Sequence, residues 1–331
     1  MQTIKKMVII ASLITILVIS GSWIYIEYFA TRRLIISTTT SLYNTGLLDA
    51  IKEEFKKKYP LDINIISAGT GLAIQHAKNG DADVVLVHSP ALEASFLTDG
   101  VGVCRKIIAY NFFVIIGPAS DPACVNGTGP IEALQRIVNY GRSHAGYVWV
   151  SRGDNSGTHN AEKTLWKKTG FNYTLLSKEP WYVSRQGGMG ETLMMTDEYL
   201  GYTLTDMGTY LAYFKQELIE LVPLITRGKD LLNVYSVIAV KPSTVANQTL
   251  HSSINFRDSI AFIRYLASDE GQTLIENYGV SEYGQNLFYG AVRVLKNEPD
   301  SEIAQWIREY AFINGTECPP EYRYGQNSLY S

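Results

Sequence analysis

Ser151-Arg152-Gly153-Asp154-Asn155-Ser156-Gly157-Thr158-His159-Asn160 joins an apolar strand, Gly146-Tyr147-Val148-Trp149-Val150, to a helical stretch, Ala161 to Thr169, closed by Gly170. A strand that turns through a polar loop into a helix leaves the N–H groups of the first turn without intrahelical partners. The helix dipole adds partial positive charge at the same end. Ser156, Gly157 and Thr158 bring hydroxyls and unshielded amides to one point, and Arg152 adds a forked guanidinium. Together these make an anion site. Asp154 offers Arg152 a carboxylate that holds the fork towards the cleft. Ser, Asn and Gly also make ordinary helix caps, so Ser156-Gly157-Thr158 alone divides evenly between the two readings. Arg152 and a second loop of the same kind tip the balance towards an anion.

That second loop is Ser37-Thr38-Thr39-Thr40-Ser41, five hydroxyl residues after the strand Leu34-Ile35-Ile36. The helix that follows, from Leu47 to Phe55, has apolar residues at 47, 48, 51 and 55, the spacing of one buried face. Asp62 to Ser67 is a second strand, ending in Ala68-Gly69-Thr70-Gly71 before a helix over 72–79. Asp83 to His88 is a third, ending in Ser89-Pro90 before a short helix over 91–98. Strands alternating with helices predict βαβ units on a parallel sheet. Ligands of such sheets sit beyond the carboxyl ends of the strands, where Thr39, Thr40, Ser41, Gly69, Thr70, Gly71 and Ser89 stand. Gly69-Thr70-Gly71 lacks the spacing and the lysine of a P-loop; it counts because hydroxyls and glycines recur at each strand end.

The apolar strand Lys106 to Gly117 runs into Pro118, Asp121 and Pro122, the pattern of a crossing into a second domain. The return crossing falls where Leu221 to Thr226 and Val234 to Val240 flank Arg227-Gly228-Lys229-Asp230. The expected division is residues 1–30 as anchor or signal segment, 31–116 with 235–331 as lobe I, and 117–234 as lobe II. Two lobes joined by two crossings suit a hinge around a cleft. The expected class is α/β.

Residues 7–26 carry no charge and follow Lys5 and Lys6, so they are long enough to span a bilayer. An uncleaved anchor is favoured over a signal peptide, with the remaining chain on the outer face of the cytoplasmic membrane. The sequence holds 29 basic and 32 acidic residues, a net charge of −3. No basic face for nucleic acid is indicated, and an anion site here must work through local donors. Sequons at Asn126, Asn172, Asn247 and Asn314 fit an outside location. Three cysteines, Cys104, Cys124 and Cys318, make no disulfide framework, although Cys124 and Cys318 could pair. The five histidines show no metal-ligand spacing, so neither metal nor cofactor is expected. Asp154, Ser156 and His159 lie too close around one turn for a nucleophile, base and orienter to meet. No enzyme is expected, and a monomer is.

Taken in order, Ser37–Ser41, Gly46-Leu47-Leu48, Gly69-Thr70-Gly71, Gly80–Val84, Leu86–Pro90, Tyr110–Pro118, Ser151–His159 and Gly201–Asp206 resemble the substrate-binding proteins of tungstate ABC transporters. The resemblance runs along most of the chain from about residue 34 and weakens after about residue 290. It implies a two-lobe type II periplasmic-binding fold, an oxyanion held between lobes and delivered to a permease with its ATPase, and no catalysis. The amino terminus and the sequons suggest a membrane-anchored archaeal form. Thr39, Ser41, Thr70 and Ser89 are then the expected donors from lobe I, and Arg152, Gly157 and Thr158 those from lobe II. Thr40, Gly69, Gly71, Asp154 and Ser156 support them. A fully deprotonated dianion wants donors only, whereas phosphate, still protonated near neutrality, gains from an acceptor such as Asp154. Phosphate, molybdate and sulfate are the alternative ligands, and a sensory or adhesive module without a transporter is the alternative of another class.

Overall fold

The computed structural model describes residues 32–242 and 254–331. The expected anchor over 7–26 and the sequon at Asn247 lie outside the described residues. Among those described, no helix is long and apolar enough to cross a membrane.

The described residues form ten strands: β1 Arg32–Thr39, β2 Leu61–Ala68, β3 Val84–Val87, β4 Gly102–Gly117, β5 Trp149–Ser151, β6 Tyr182–Ser184, β7 Thr203–Asp206, β8 Val222–Ile225, β9 Leu232–Val240 and β10 Tyr289–Gly290. β1 lies between β2 and β3, parallel to both, with Ile36 opposite Ile65 on one side and Val84 on the other. The helices Leu47–Lys58 and Thr70–Asn79 make the crossovers. In the first of them Leu47, Leu48, Ile51 and Phe55 are all buried, and three lysines stand in the last turn where the helix dipole favours cations.

The βαβ expectation holds for these three strands, and β5 and β6, joined through helices, also pair in parallel. β9 is antiparallel to both β3 and β4, giving a mixed sheet of order β10-β4-β9-β3-β1-β2. The chain returns from its excursion through β9, and a returning strand enters antiparallel.

β4 is the spine of the molecule. Its first part pairs with β9, and its last part with β7 on one side and β8 on the other. Fifteen of its sixteen residues are buried, as a strand covered on both faces requires. Val103, Ile108 and Ala109 pack with Leu34, Ile36, Phe55, Phe262 and Leu266. Further along, Phe113 and Ile115 pack with Leu134, Ile137, Trp149, Trp166 and Tyr202. Ile107 and Tyr110, and Val114 and Ile116, enter two further clusters, so one strand feeds four.

Residues beyond 290 build a separate cluster on the first part of β4. The helices Ala291–Asn297 and Glu302–Ala311 bury Ala291, Ile307 and Ala311 against Ile107, Tyr110, Leu232 and Val234. Glu317 accepts the backbone N–H of Ile107 at 2.6 Å and Lys106 Nζ at 2.8 Å. All three cysteines are free, Cys124 exposed and the other two buried. The possible Cys124–Cys318 bridge is therefore not formed: one thiol faces solvent and the other the core. Asn126, Asn172 and Asn314 are exposed.

Candidate functional site

In β1, Thr39 stands opposite Ala68 of β2, and Thr38 opposite Leu86 of β3. This register brings Thr39 to Ser41, Gly69-Thr70 and His88-Ser89 off three neighbouring strands at one sheet edge. No loop follows β1. A short helix, Thr40–Asn44, begins at once, with Thr39 as its cap. Gly69 and Ser89 likewise cap the helices Thr70–Asn79 and Pro90–Thr98.

A capping hydroxyl that accepts a backbone N–H keeps its own proton to give away. Thr39 Oγ1 accepts from the Leu42 amide at 3.3 Å and lies 3.4 Å from Ser41 Oγ. Thr70 is fully buried, and its Oγ1 has no hydrogen-bond partner. Ser89 is half-buried. Its amide goes to Glu93 Oε1 at 2.8 Å, and Glu93 is held in turn by the buried Arg105.

On the facing side the helix Gly157–Lys168 starts earlier than the sequence pattern indicates, so Gly157 and Thr158 form its first turn. Ser156 is the cap and accepts the His159 amide at 3.3 Å. Thr158 is 2% exposed, and its Oγ1, like that of Thr70, has no partner. Arg152 is 4% exposed, with Nη2 at 2.5 Å from Asp154 Oδ2 and Nε at 3.3 Å from the Gly187 carbonyl. The other Asp154 oxygen accepts the Ser156 amide at 3.0 Å. Asp154 is thus the fork-holder. With both oxygens engaged, it is not turned inward as the acceptor that a protonated anion would want.

The loop is fastened from behind. Gly153 has φ +67, and a Cβ there would lie 1.8 Å from Ser184 Oγ, so any side chain there is strained and must displace Ser184. His159 Nδ1 accepts the Asn155 amide at 2.9 Å, leaving Nε2–H to donate to Tyr173 Oη at 2.7 Å. The buried Glu162 collects Ser151 Oγ, Tyr182 Oη and the indole N–H groups of Trp149 and Trp166, at 2.5–3.0 Å. Burial pushes its carboxyl up, and these four bonds oppose the shift. Asp154, Ser156 and His159 form no triad: the Ser156 hydroxyl meets the His159 amide, not its ring.

His88 joins the two sides. Its ring lies against Gly157, where a Cβ would stand 2.5 Å from a ring carbon. Its Nε2 is 3.5 Å from Ser41 Oγ and its Nδ1 2.8 Å from Asn233 Oδ1. The tautomer follows from the network. Asn111 Nδ2 donates to the Leu287 carbonyl, so its Oδ1 accepts from Asn233 Nδ2 at 2.9 Å. Asn233 then presents its own oxygen to His88, which must carry its proton on Nδ1 and leave Nε2 bare. Burial holds this imidazole down to about 4, and the Arg152 charge pushes the same way. Asp206 is also buried and feels Arg152. Burial raises its carboxyl, against hydrogen bonds from the Thr209 amide at 2.9 Å and hydroxyl at 2.7 Å.

Of the residues singled out in the sequence, Thr39, Ser41, Thr70, Arg152, Gly157 and Thr158 are buried at the two junctions, with Thr40 and Ser89 half-buried beside them. Gly69 and Gly71 have open space where a Cβ would stand. His88, Asp206, Asn111 and Asn233 were not singled out as site residues. Their one signal is a polar residue inside or ending an apolar run, as in Tyr110-Asn111-Phe112 and Leu232-Asn233-Val234.

Two capped strand-to-helix junctions that meet at His88 and Gly157, beside a buried arginine, are what a solute-binding protein for anions calls for. The PBP superfamily domain matches residues 29–270, well over half of the chain, and the chain belongs to that superfamily. It is 38% identical over 258 residues to the tungstate-binding protein TupA of Peptoclostridium acidaminophilum, covering 77% of this chain and 84% of that one. A solved structure of the tungstate-binding protein TupA from Desulfovibrio alaskensis is 38% identical, with a TM-score of 0.68, over 78% of this chain and 99% of that one. The crystal structure of the tungstate ABC transporter from Geobacter sulfurreducens is 39% identical, with a TM-score of 0.65, over 74% and 98%.

Proposed function

We propose that this chain captures tungstate outside the cytoplasmic membrane and delivers it to an ABC transporter permease with its ATPase. Lobe I comprises residues 31–116 with 235–331, lobe II residues 117–234, and the anion lies between them. Thr39, Ser41, Thr70 and Ser89 donate from lobe I, and Arg152, Gly157 and Thr158 from lobe II. Residues 7–26 would hold the protein at the membrane.

The observation that carries this reading is the pair of buried, unpartnered hydroxyls, Thr70 Oγ1 and Thr158 Oγ1. A buried hydroxyl without a partner costs about 1–3 kcal/mol. These two stand in the first turns of two helices, where amides without intrahelical partners favour an anion. Each hydrogen bond to a charged group is worth about 1.5–3 kcal/mol net. Six or more support tight binding after the cost of fixing the ligand and the lobes.

A second reading, phosphate, has one observation in its favour: the bare Nε2 of His88 beside Ser41. It is an acceptor in a cradle of donors, and hydrogen phosphate has a proton to give it. Calorimetric titration with tungstate, then competition by molybdate, phosphate and sulfate, decides between the two. Tight one-to-one binding of tungstate over phosphate supports the first reading. Preference for phosphate replaces it with the second, and no heat with any of the four removes both.

A further inference from the structure

Outside the His88–Gly157 contact lies a cavity of about 570 Å³, bounded on its inner side by His88, Ser89 and Gly157. Its walls carry Lys163, Lys167, Lys168 and Lys229 against a single acid, Asp230. This balance is unlike that of the chain, which is acidic overall. Lysines in the last turn of a helix serve its dipole, and that accounts for Lys167 and Lys168 as helix residues. It does not account for the convergence. Lys163 and Lys167 are four apart, on the helix face that lines the cavity with Asn160 and Thr164, while Lys229 comes from a different segment. Lys168 is neutralised by Asp230 at 2.6 Å, and Lys229 pairs with Glu309. Lys163 lines the cavity and donates to the neutral Asn155 Oδ1 at 3.0 Å, so no carboxylate pairs with its charge. Lys167 has no partner among the described residues and is exposed.

The inner donors are nearly sealed: Thr39, Ser41, Thr70, Arg152 and Thr158 are each 5% exposed or less. An anion must therefore arrive from a surface outside the seal. We propose that this lysine-lined cavity is the entrance through which oxyanions reach the inner site, with Lys163 and Lys167 accelerating capture and taking no part in holding the bound ion. The proposal rests on the anion-site reading and adds a kinetic role to residues that the reading does not use. A concave wall of one charge sign focuses field lines and concentrates the opposite ion at its mouth. With the overall charge negative, attraction has to be local.

The test uses the full chain, with tungstate as probe, and compares wild type with Lys163→Glu/Lys167→Glu. Association and dissociation rates are read by stopped-flow tryptophan fluorescence, or by kinetic calorimetry where the fluorescence is silent. At ~20 mM salt the association rate of the double variant is expected to fall about tenfold, with dissociation within about twofold of wild type. At ~0.5 M salt the two proteins should converge, because screening shortens the reach of the lysine charges to a few ångströms. Equal association rates at low salt overturn the proposal. So does a deficit that persists at high salt, or one confined to dissociation, which would make the lysines contacts of the bound ion. Lys163→Gln/Lys167→Gln, expected midway, decides the matter if the double reversal does not fold. Absence of equilibrium binding to wild type would defeat the anion-site reading itself, a result distinct from binding whose rate ignores the lysines.

Discussion

At Thr70 and Thr158 stability and function pull in opposite directions. Each buries a hydroxyl without a partner, so replacing either by the near-isosteric valine removes a desolvation penalty. Thr70→Val and Thr158→Val are expected to raise the melting temperature of the ligand-free protein and to weaken tungstate binding by about tenfold or more. Scanning fluorimetry and titration calorimetry read the two halves, and a variant that lowered both would show a structural hydroxyl. Arg152 differs in kind, because its loss also frees Asp154, whose second oxygen bonds the Ser156 amide. Arg152→Ala is expected to cost at least tenfold in affinity. Unchanged calorimetric affinity in a folded variant would remove Arg152 from the site.

At the scale of the element, the helix Gly157–Lys168 is the part that meets the other side. At its first residue, Gly157, the His88 ring occupies the place of a side chain, so any larger residue must displace the ring. Gly157→Ala should keep the fold, since alanine suits a helix better than glycine, yet push the two sides apart. The expected result is an intact melting transition with tungstate affinity reduced about tenfold or more; undiminished affinity would mean that the ring moves aside freely. The hydroxyls and glycines of this element were legible in the sequence, because a strand-to-helix junction is a local pattern. Its true start was not. Ser156 is as good a cap as any neighbouring polar residue until the position of Asp154 fixes the turn.

Over the whole molecule, two consequences follow from burial. His88 is held down to about 4 from an ordinary value of 6.5, chiefly by burial, and it faces Arg152, Ser41, Asn233 and the ring of Tyr235. The unfolded chain therefore binds a proton more readily than the folded one between those values. The associated stability is complete above pH 6.5 and is lost as pH falls towards 4, by roughly 3 kcal/mol. Calorimetric melting from pH 7.5 to 4.5 should show the decline, to which His159, also held down to about 4 chiefly by burial, adds its own share; His88→Gln should remove only the His88 share. The second consequence concerns the carboxyl-terminal segment. Glu317 holds the Ile107 amide and Lys106, and its carbonyl accepts Arg105 at 2.6 Å. Glu317→Ala leaves the buried amide of β4 without a partner and is expected to cost about 1–3 kcal/mol in denaturant unfolding. No measurable loss would show that the segment merely leans on the core.

The local sequence determined the strand ends, the helices after them, the hydroxyl and glycine donors, and Arg152 with its carboxylate partner, because each is a matter of neighbours a few residues apart. The antiparallel return of β9, the fixed tautomer of His88 and the lysine-lined cavity were decided only by tertiary structure. Asn111 and Asn233 lie 122 residues apart and meet because β4 and β9 pair with these two residues opposite each other. Lys163 and Lys229 share a wall because the chain comes back through β8 and β9. Polar residues in apolar strands can be seen in a sequence, but a hydrogen bond or a common field between distant segments exists only once the sheet has set which residues lie side by side.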